Sequence, residues 1–139
     1  MSILEDLKRL HIELLYSRLA CALSKKQVSL EWCDLEDYRG LTFKRDGVVV
    51  IQVSEDLEQD QEFHTILHEV AHAKLHASGL AEENAFASLP ENVSDPFPQW
   101  YLEKRKQAHE KREHEARHQA DQWLEMAGDG SIKDRVIRL

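Results

Sequence analysis

Histidine recurs at every fourth position from residue 64 to residue 76: His64, His68, His72 and His76. In an α-helix, residues four apart stand one turn above each other and their side chains meet. In a strand the same spacing would separate them by about 13 Å. Phe63, Ile66, Leu67, Val70 and Ala71 lie among the histidines at helical spacing. The pattern predicts a helix from Asp60 to Ala77, apolar on its buried face, with the histidines along the border of that face and Ser78-Gly79 as its stop.

Inside this stripe, His68-Glu69-Val70-Ala71-His72 reads H-E-x-x-H. Two imidazoles aimed at one point suit Zn²⁺, and a third protein ligand with a water would complete a tetrahedral catalytic site. Glu69, beside the pair, is placed to act on that water as a general base. His64 and His76 fall outside the pattern and are expected at the surface or as partners of the ligands. A longer three-histidine pattern would need Gly at position 75 and His at position 78; the chain has Leu75 and Ser78.

The segments before this helix predict one further helix and a small sheet. Ser2 followed by Glu5 reads as a capping box. Leu4, Leu7, Leu14, Leu15, Leu19, Ala22 and Leu23 recur at helical spacings, so a helix from Ile3 to Leu23 is expected to pack that stripe on the remainder. His11 within it is expected at the surface. Val28, Leu30 and Trp32 alternate with polar residues, Leu41 and Phe43 open a second strand, and Val48 to Val53 is a β-branched run with Gln52 as its one polar member. Asp46-Gly47 is a hairpin signal. The expectation is a three-stranded antiparallel sheet.

After the histidine helix, Ala81 to Leu89 is expected to form a short helix, and Pro90, Pro96 and Pro98 punctuate an irregular stretch. A long charged helix is then expected from Tyr101 to Met126. Its apolar stripe is Ala116, Ala120, Trp123 and Ala127, and Glu113 continues that stripe one turn earlier. A carboxylate on an inward face is unfavourable unless it is paired or bound to metal. Glu113 is therefore the preferred third ligand, with Glu115, His118, Glu82 and Glu83 as rivals. The tail from Gly128 onward carries no clear signal.

Thr65-Ile66-Leu67-His68-Glu69-Val70-Ala71-His72, with Leu75-His76 after it, resembles the ImmA/IrrE group of zinc metallopeptidases. Glu113-His114-Glu115-Ala116-Arg117-His118-Gln119-Ala120 resembles that group's E-x-E-A-N-x-F-A segment, whose first Glu would be the third zinc ligand. Arg117 departs from it where Asn or Asp is usual, and Gln119 where Phe is usual. The resemblance implies a single α+β, zincin-like metallopeptidase domain over residues 1–139, with His68, His72 and Glu113 on Zn²⁺ and Glu69 as the catalytic base. It also implies that a strand before the histidine helix borders the cleft, and that the substrate is a cytoplasmic protein, such as the repressor of a phage or mobile element. The competing expectation is a zinc-bearing interaction module without turnover. Against it, Glu69 is not needed to hold a metal.

The remaining composition excludes other classes. A net charge of −8 disfavours nucleic acid as the main partner. No apolar run reaches the 18 or so residues of a membrane span, and Glu5 and Asp6 stand where a signal peptide would be basic. Cys21 and Cys33 make no disulfide framework and are expected as reduced thiols.

Overall fold

The computed structural model describes residues 2–83 and 99–139. The expectations for residues 84–98, including most of the short helix and the three prolines, lie outside the described residues. Among the described residues, four α-helices and three strands follow in the order α1 (Ile3–Ser24), β1 (Val28–Cys33), β2 (Gly40–Arg45), β3 (Val48–Ser54), α2 (Gln59–Leu75), α3 (Gln99–Ala127) and α4 (Ile132–Ile137), with a 3₁₀ turn at Ala77–Gly79. The class is α+β. None of the described helices is long and apolar enough to cross a membrane.

Local chemistry sets the ends of these elements. The Ser2 hydroxyl accepts from Glu5 N–H at the start of α1, and Lys25 in the left-handed region ends it. Asp46 and Gly47 both take positive φ, so β2 and β3 join through a two-residue turn of the type that matches strand twist. The Lys26 ammonium donates to the Ala73 carbonyl at 2.9 Å and the Lys74 carbonyl at 3.3 Å, placing a cation on the C-terminal end of α2. Ser131 caps α4 by accepting from Asp134 N–H. Arg138 then ties the tail back to the Ala127 carbonyl at 2.7 Å.

The sheet is mixed, not antiparallel as expected. Its order is β1–β3–β2, with β1 parallel and β2 antiparallel to β3. The hydrophobic pattern explains the order. Val49, Val50, Ile51 and Val53 are all buried, so β3 is covered on both faces and takes the centre. The half-polar strands β1 and β2 take the edges.

The core lies between this sheet and the helices. Val49, Ile51 and Val53 meet Phe63, Ile66, Leu67 and Val70 of α2, and Ala116, Ala120 and Trp123 of α3 close the other side of α2. The stripe expected to pack from α1 is corrected. Leu4, Leu7 and Leu14 are each more than half exposed; Leu19 of the expected stripe is buried, and Tyr16 and Ala20 are buried beside it. α1 carries two apolar stripes, and the one containing an aromatic anchor faces the core: Tyr16 lies 6.2 Å from Phe63 and 6.4 Å from Trp32, ring centre to ring centre.

A polar tie fixes α1 to α2. Glu62 is buried and accepts two hydrogen bonds from the Arg9 guanidinium, at 2.9 and 2.7 Å, and one from Trp32 Nε1 at 3.2 Å. The same guanidinium stacks over the Trp32 ring at 5.3 Å. The two-pronged geometry compensates for burying the carboxylate.

Candidate metal centre

α2 and α3 cross at small residues. Ala71 on one helix and Ala116 and Ala120 on the other are fully buried, and such small side chains let the two backbones approach. Glu113, one turn before Ala116, is thereby brought onto the histidine stripe. Its Oε2 is 3.0 Å from His68 Nε2 and its Oε1 is 3.0 Å from His72 Nε2. The three ligand atoms all lie within 4.8 Å of one another.

The donor set fits a tetrahedral divalent ion. Bonds of 2.0–2.1 Å in tetrahedral geometry separate ligand atoms by roughly 3.3 Å, close to the spacings seen here. Burial, above all, pulls the His72 pKa down to about 4, so this imidazole is neutral with a free lone pair at physiological pH. Burial pushes the Glu113 carboxyl up, but His72, His68 and His109 together outweigh it and hold the group below the ordinary carboxylate range. A neutral imidazole and a carboxylate anion are the forms that bind a metal.

Glu69 lies beside the pair, turned toward β2 rather than α3. Its carboxylate accepts a hydrogen bond from the Thr42 hydroxyl. Burial raises its pKa, with the Thr42 bond and His68 opposing and Glu113 reinforcing. A carboxyl pushed upward by burial is suited to take and release a proton near neutrality.

Gly40 permits this closeness. A Cβ at position 40 would stand 2.9 Å from Glu69 Cγ and 2.9 Å from Thr65 Cγ2. β2 is an edge strand, and Lys44 N–H, on its outer side, donates to the Ala81 carbonyl at 2.9 Å. Strand alternation turns the backbone groups of Gly40 and Thr42 to the same outer side. Among the described residues no strand pairs with this edge at Gly40 and Thr42, and it runs beside a cleft of about 330 Å³ lined by Arg39, Gly40, His68, Glu69, Glu113 and Arg117.

The rivals to Glu113 are placed elsewhere. Glu115 accepts from His76 Nε2 at 3.1 Å. Glu83 is paired with Arg45 at 2.6 Å, and Glu82 bridges Lys44 on the outer side of β2. His118 is exposed and belongs to no ligand cluster among the described residues. His64 is largely exposed, 4.0 Å from Asp121 Oδ1. His76 is nearly enclosed and reaches His72, Nδ1 to Nδ1, at 3.2 Å.

Thr42 and Gly40 were not singled out by sequence as parts of this site. A glycine inside a strand pattern is a sign of close backbone approach, and that signal was available at Gly40. A threonine on an alternating strand carries none. Compared with protein-family models, with curated proteins and with solved structures, the chain matches none.

Proposed function

We propose that the chain is a zinc-dependent endopeptidase with a zincin-like fold, of the kind found in the ImmA/IrrE group. The observation that carries the reading is the meeting of His68, His72 and Glu113 at one point while Glu69, one residue from a ligand, faces Thr42 of the edge strand β2. Zn²⁺ in such a site supplies Lewis acidity, polarising a scissile carbonyl and lowering the pKa of a water toward neutrality.

The residues of the chain divide the remaining work. His68, His72 and Glu113 hold the metal from two helices. Glu69 takes the proton of the attacking water and returns it to the leaving amine. Thr42 holds the carboxylate of Glu69 in place. The outward backbone groups of Gly40 and Thr42 pair with an extended peptide, presenting its scissile bond to the cleft. The resemblance makes a cytoplasmic protein the proposed substrate, with a repressor of a phage or mobile element as its most specific form.

The burial and hydrogen bonding of Glu69 favour this reading over a silent zinc-bearing module, which would need no aimed carboxylate there. Elemental analysis of protein purified without added metal should find close to one zinc per chain. Glu69→Gln should keep the metal and lose peptidase activity by on the order of 10² to 10⁴-fold. Absence of zinc in the wild type, or full activity in the variant, overturns the proposal.

A further inference from the structure

Beyond the three ligands, a second line of polar side chains leads away from the site. Starting at Glu113 Oε1, His72 Nε2 is 3.0 Å distant. The other nitrogen of that ring, Nδ1, is 3.2 Å from His76 Nδ1, and His76 Nε2 is 3.1 Å from Glu115 Oε2. α2 supplies one imidazole and its C-cap residue the other, one turn apart. α3 supplies both carboxylates, two residues apart, one to the metal site and one to the end of the line.

We infer that Glu115 and His76 form a positioning relay that fixes the tautomer and ring orientation of His72 for metal binding. The argument is one of proton bookkeeping. A neutral imidazole has one N–H and one lone pair, and a carboxylate only accepts. With both rings neutral, Glu115 requires the hydrogen of His76 on Nε2. His76 Nδ1 is then a lone pair, so His72 must donate to it through Nδ1–H. That leaves the lone pair of His72 on Nε2, facing His68 and Glu113. The opposite polarity would set the lone pair of His76 Nε2 against a carboxylate.

The same arrangement explains why His76 is enclosed although it is not a ligand. Its side chain is 9% exposed, whereas Glu115 is 41% exposed, so the line runs from the half-buried His72 to the surface. Its backbone N–H also closes the last turn of α2 on the His72 carbonyl at 2.8 Å, which limits the positions its ring can take. A hydrogen bond to the distal nitrogen of a ligand histidine orients the ring and raises its basicity.

The inference rests on the metal-site reading and not on peptidase activity, so zinc itself is the probe. Zinc affinity is measured by chelator competition for wild type and for His76→Phe, His76→Asn and Glu115→Ala. His76→Phe should weaken binding by roughly 10 to 100-fold, the usual effect of losing a partner of a ligand histidine. Asn places its Oδ1 where Nδ1 stands and can accept the same bond, so His76→Asn should recover most of the affinity. Glu115→Ala should fall between wild type and His76→Phe. In the zinc-loaded wild type, side-chain ¹⁵N shifts should report His72 protonated at Nδ1 and His76 protonated at Nε2. Wild-type affinity in His76→Phe, no recovery in His76→Asn, or a His76 protonated at Nδ1 overturns the relay while leaving the metal site standing. A wild-type protein that binds no zinc overturns both.

Discussion

Thr42 donates its hydroxyl proton to the carboxylate of Glu69, joining the edge strand β2 to the helix that carries both site histidines. The bond favours the charged form of a carboxyl whose burial favours the neutral one. Thr42→Val keeps the shape and removes the donor, so the Glu69 pKa should move further upward. Titration of the ¹³C-labelled carboxyl in metal-free protein measures this directly. In the active enzyme the acid limb of kcat/KM should move to higher pH, with a loss of up to about fivefold on that limb if the bond contributes about 1 kcal/mol. An unchanged Glu69 titration would show that Thr42 does not hold the base.

Glu69 also carries a stability prediction. Its folded pKa lies above its unfolded value, chiefly through burial. The folded state therefore binds this proton more tightly than the unfolded state, and that contribution is lost as pH rises through the folded pKa. At neutral pH the ionised carboxylate is a burden on the metal-free fold. Glu69→Gln removes the charge and can still accept from Thr42. Its melting temperature, in chelator at pH 7.5, should exceed that of wild type, and the gap should narrow toward pH 4. A variant less stable than wild type at pH 7.5 contradicts the assignment of Glu69 as a buried, strained base.

The histidine helix, its H-E-x-x-H pair and the inward Glu113 were legible in the sequence because each rests on helical periodicity, a local signal. The strand order was not. It depends on which strand is covered on both faces, and only the apolar composition of β3 hinted at that. α1 offered two apolar stripes of similar quality, and periodicity alone does not rank them. The packing of Tyr16 against Phe63 and Trp32 does. Glu62 looked like any other helix glutamate; its bonds to Arg9 and Trp32 join residues 53 and 30 positions away in the chain.

Gly40 tests the geometry of the strand edge. Alanine there would place its Cβ within 2.9 Å of both Glu69 Cγ and Thr65 Cγ2. The side chains of Glu69 and Thr65, or the elements that carry them, must shift, at a cost of about 1–3 kcal/mol typical of overpacking. Gly40→Ala should lower the denaturant midpoint and weaken turnover through a displaced Glu69, while zinc affinity stays close to wild type. An unchanged midpoint would mean that the strand edge stands farther from α2 than described.

Glu62 separates fold from site. It ties α1 and β1 to α2 from a position six residues before His68, and its partners are Arg9 and Trp32, not the metal ligands. Glu62→Ala strands part of the Arg9 guanidinium and the Trp32 N–H, for a loss of about 2 kcal/mol. Arg9 keeps considerable exposure, which limits the penalty to that range. Chemical denaturation should register the loss, and chelator competition should find the zinc affinity unaltered.

Glu113 is the residue on which the joining of the two helices depends. His68 and His72 come from α2 alone, and four residues of one helix cannot supply a third ligand at the same point. Glu113 comes from α3, forty-five positions after His68 and held at 3.0 Å from it. A metal bound by all three therefore exists only when α2 and α3 are docked, and its binding energy adds to the folding energy. With free zinc at about 1,000 times Kd this increment is about 4 kcal/mol for the wild type. Glu113→Ala should lose most of that increment because affinity falls. In chelator it should melt near wild type, since its carboxylate is about one-third exposed and contributes little packing. Glu110→Ala, on the exposed face of the same helix, is the control and should respond to zinc as wild type does. If Glu113→Ala retains the full zinc-dependent rise in melting temperature, the third ligand is another residue and α3 is not clamped to α2 through the metal.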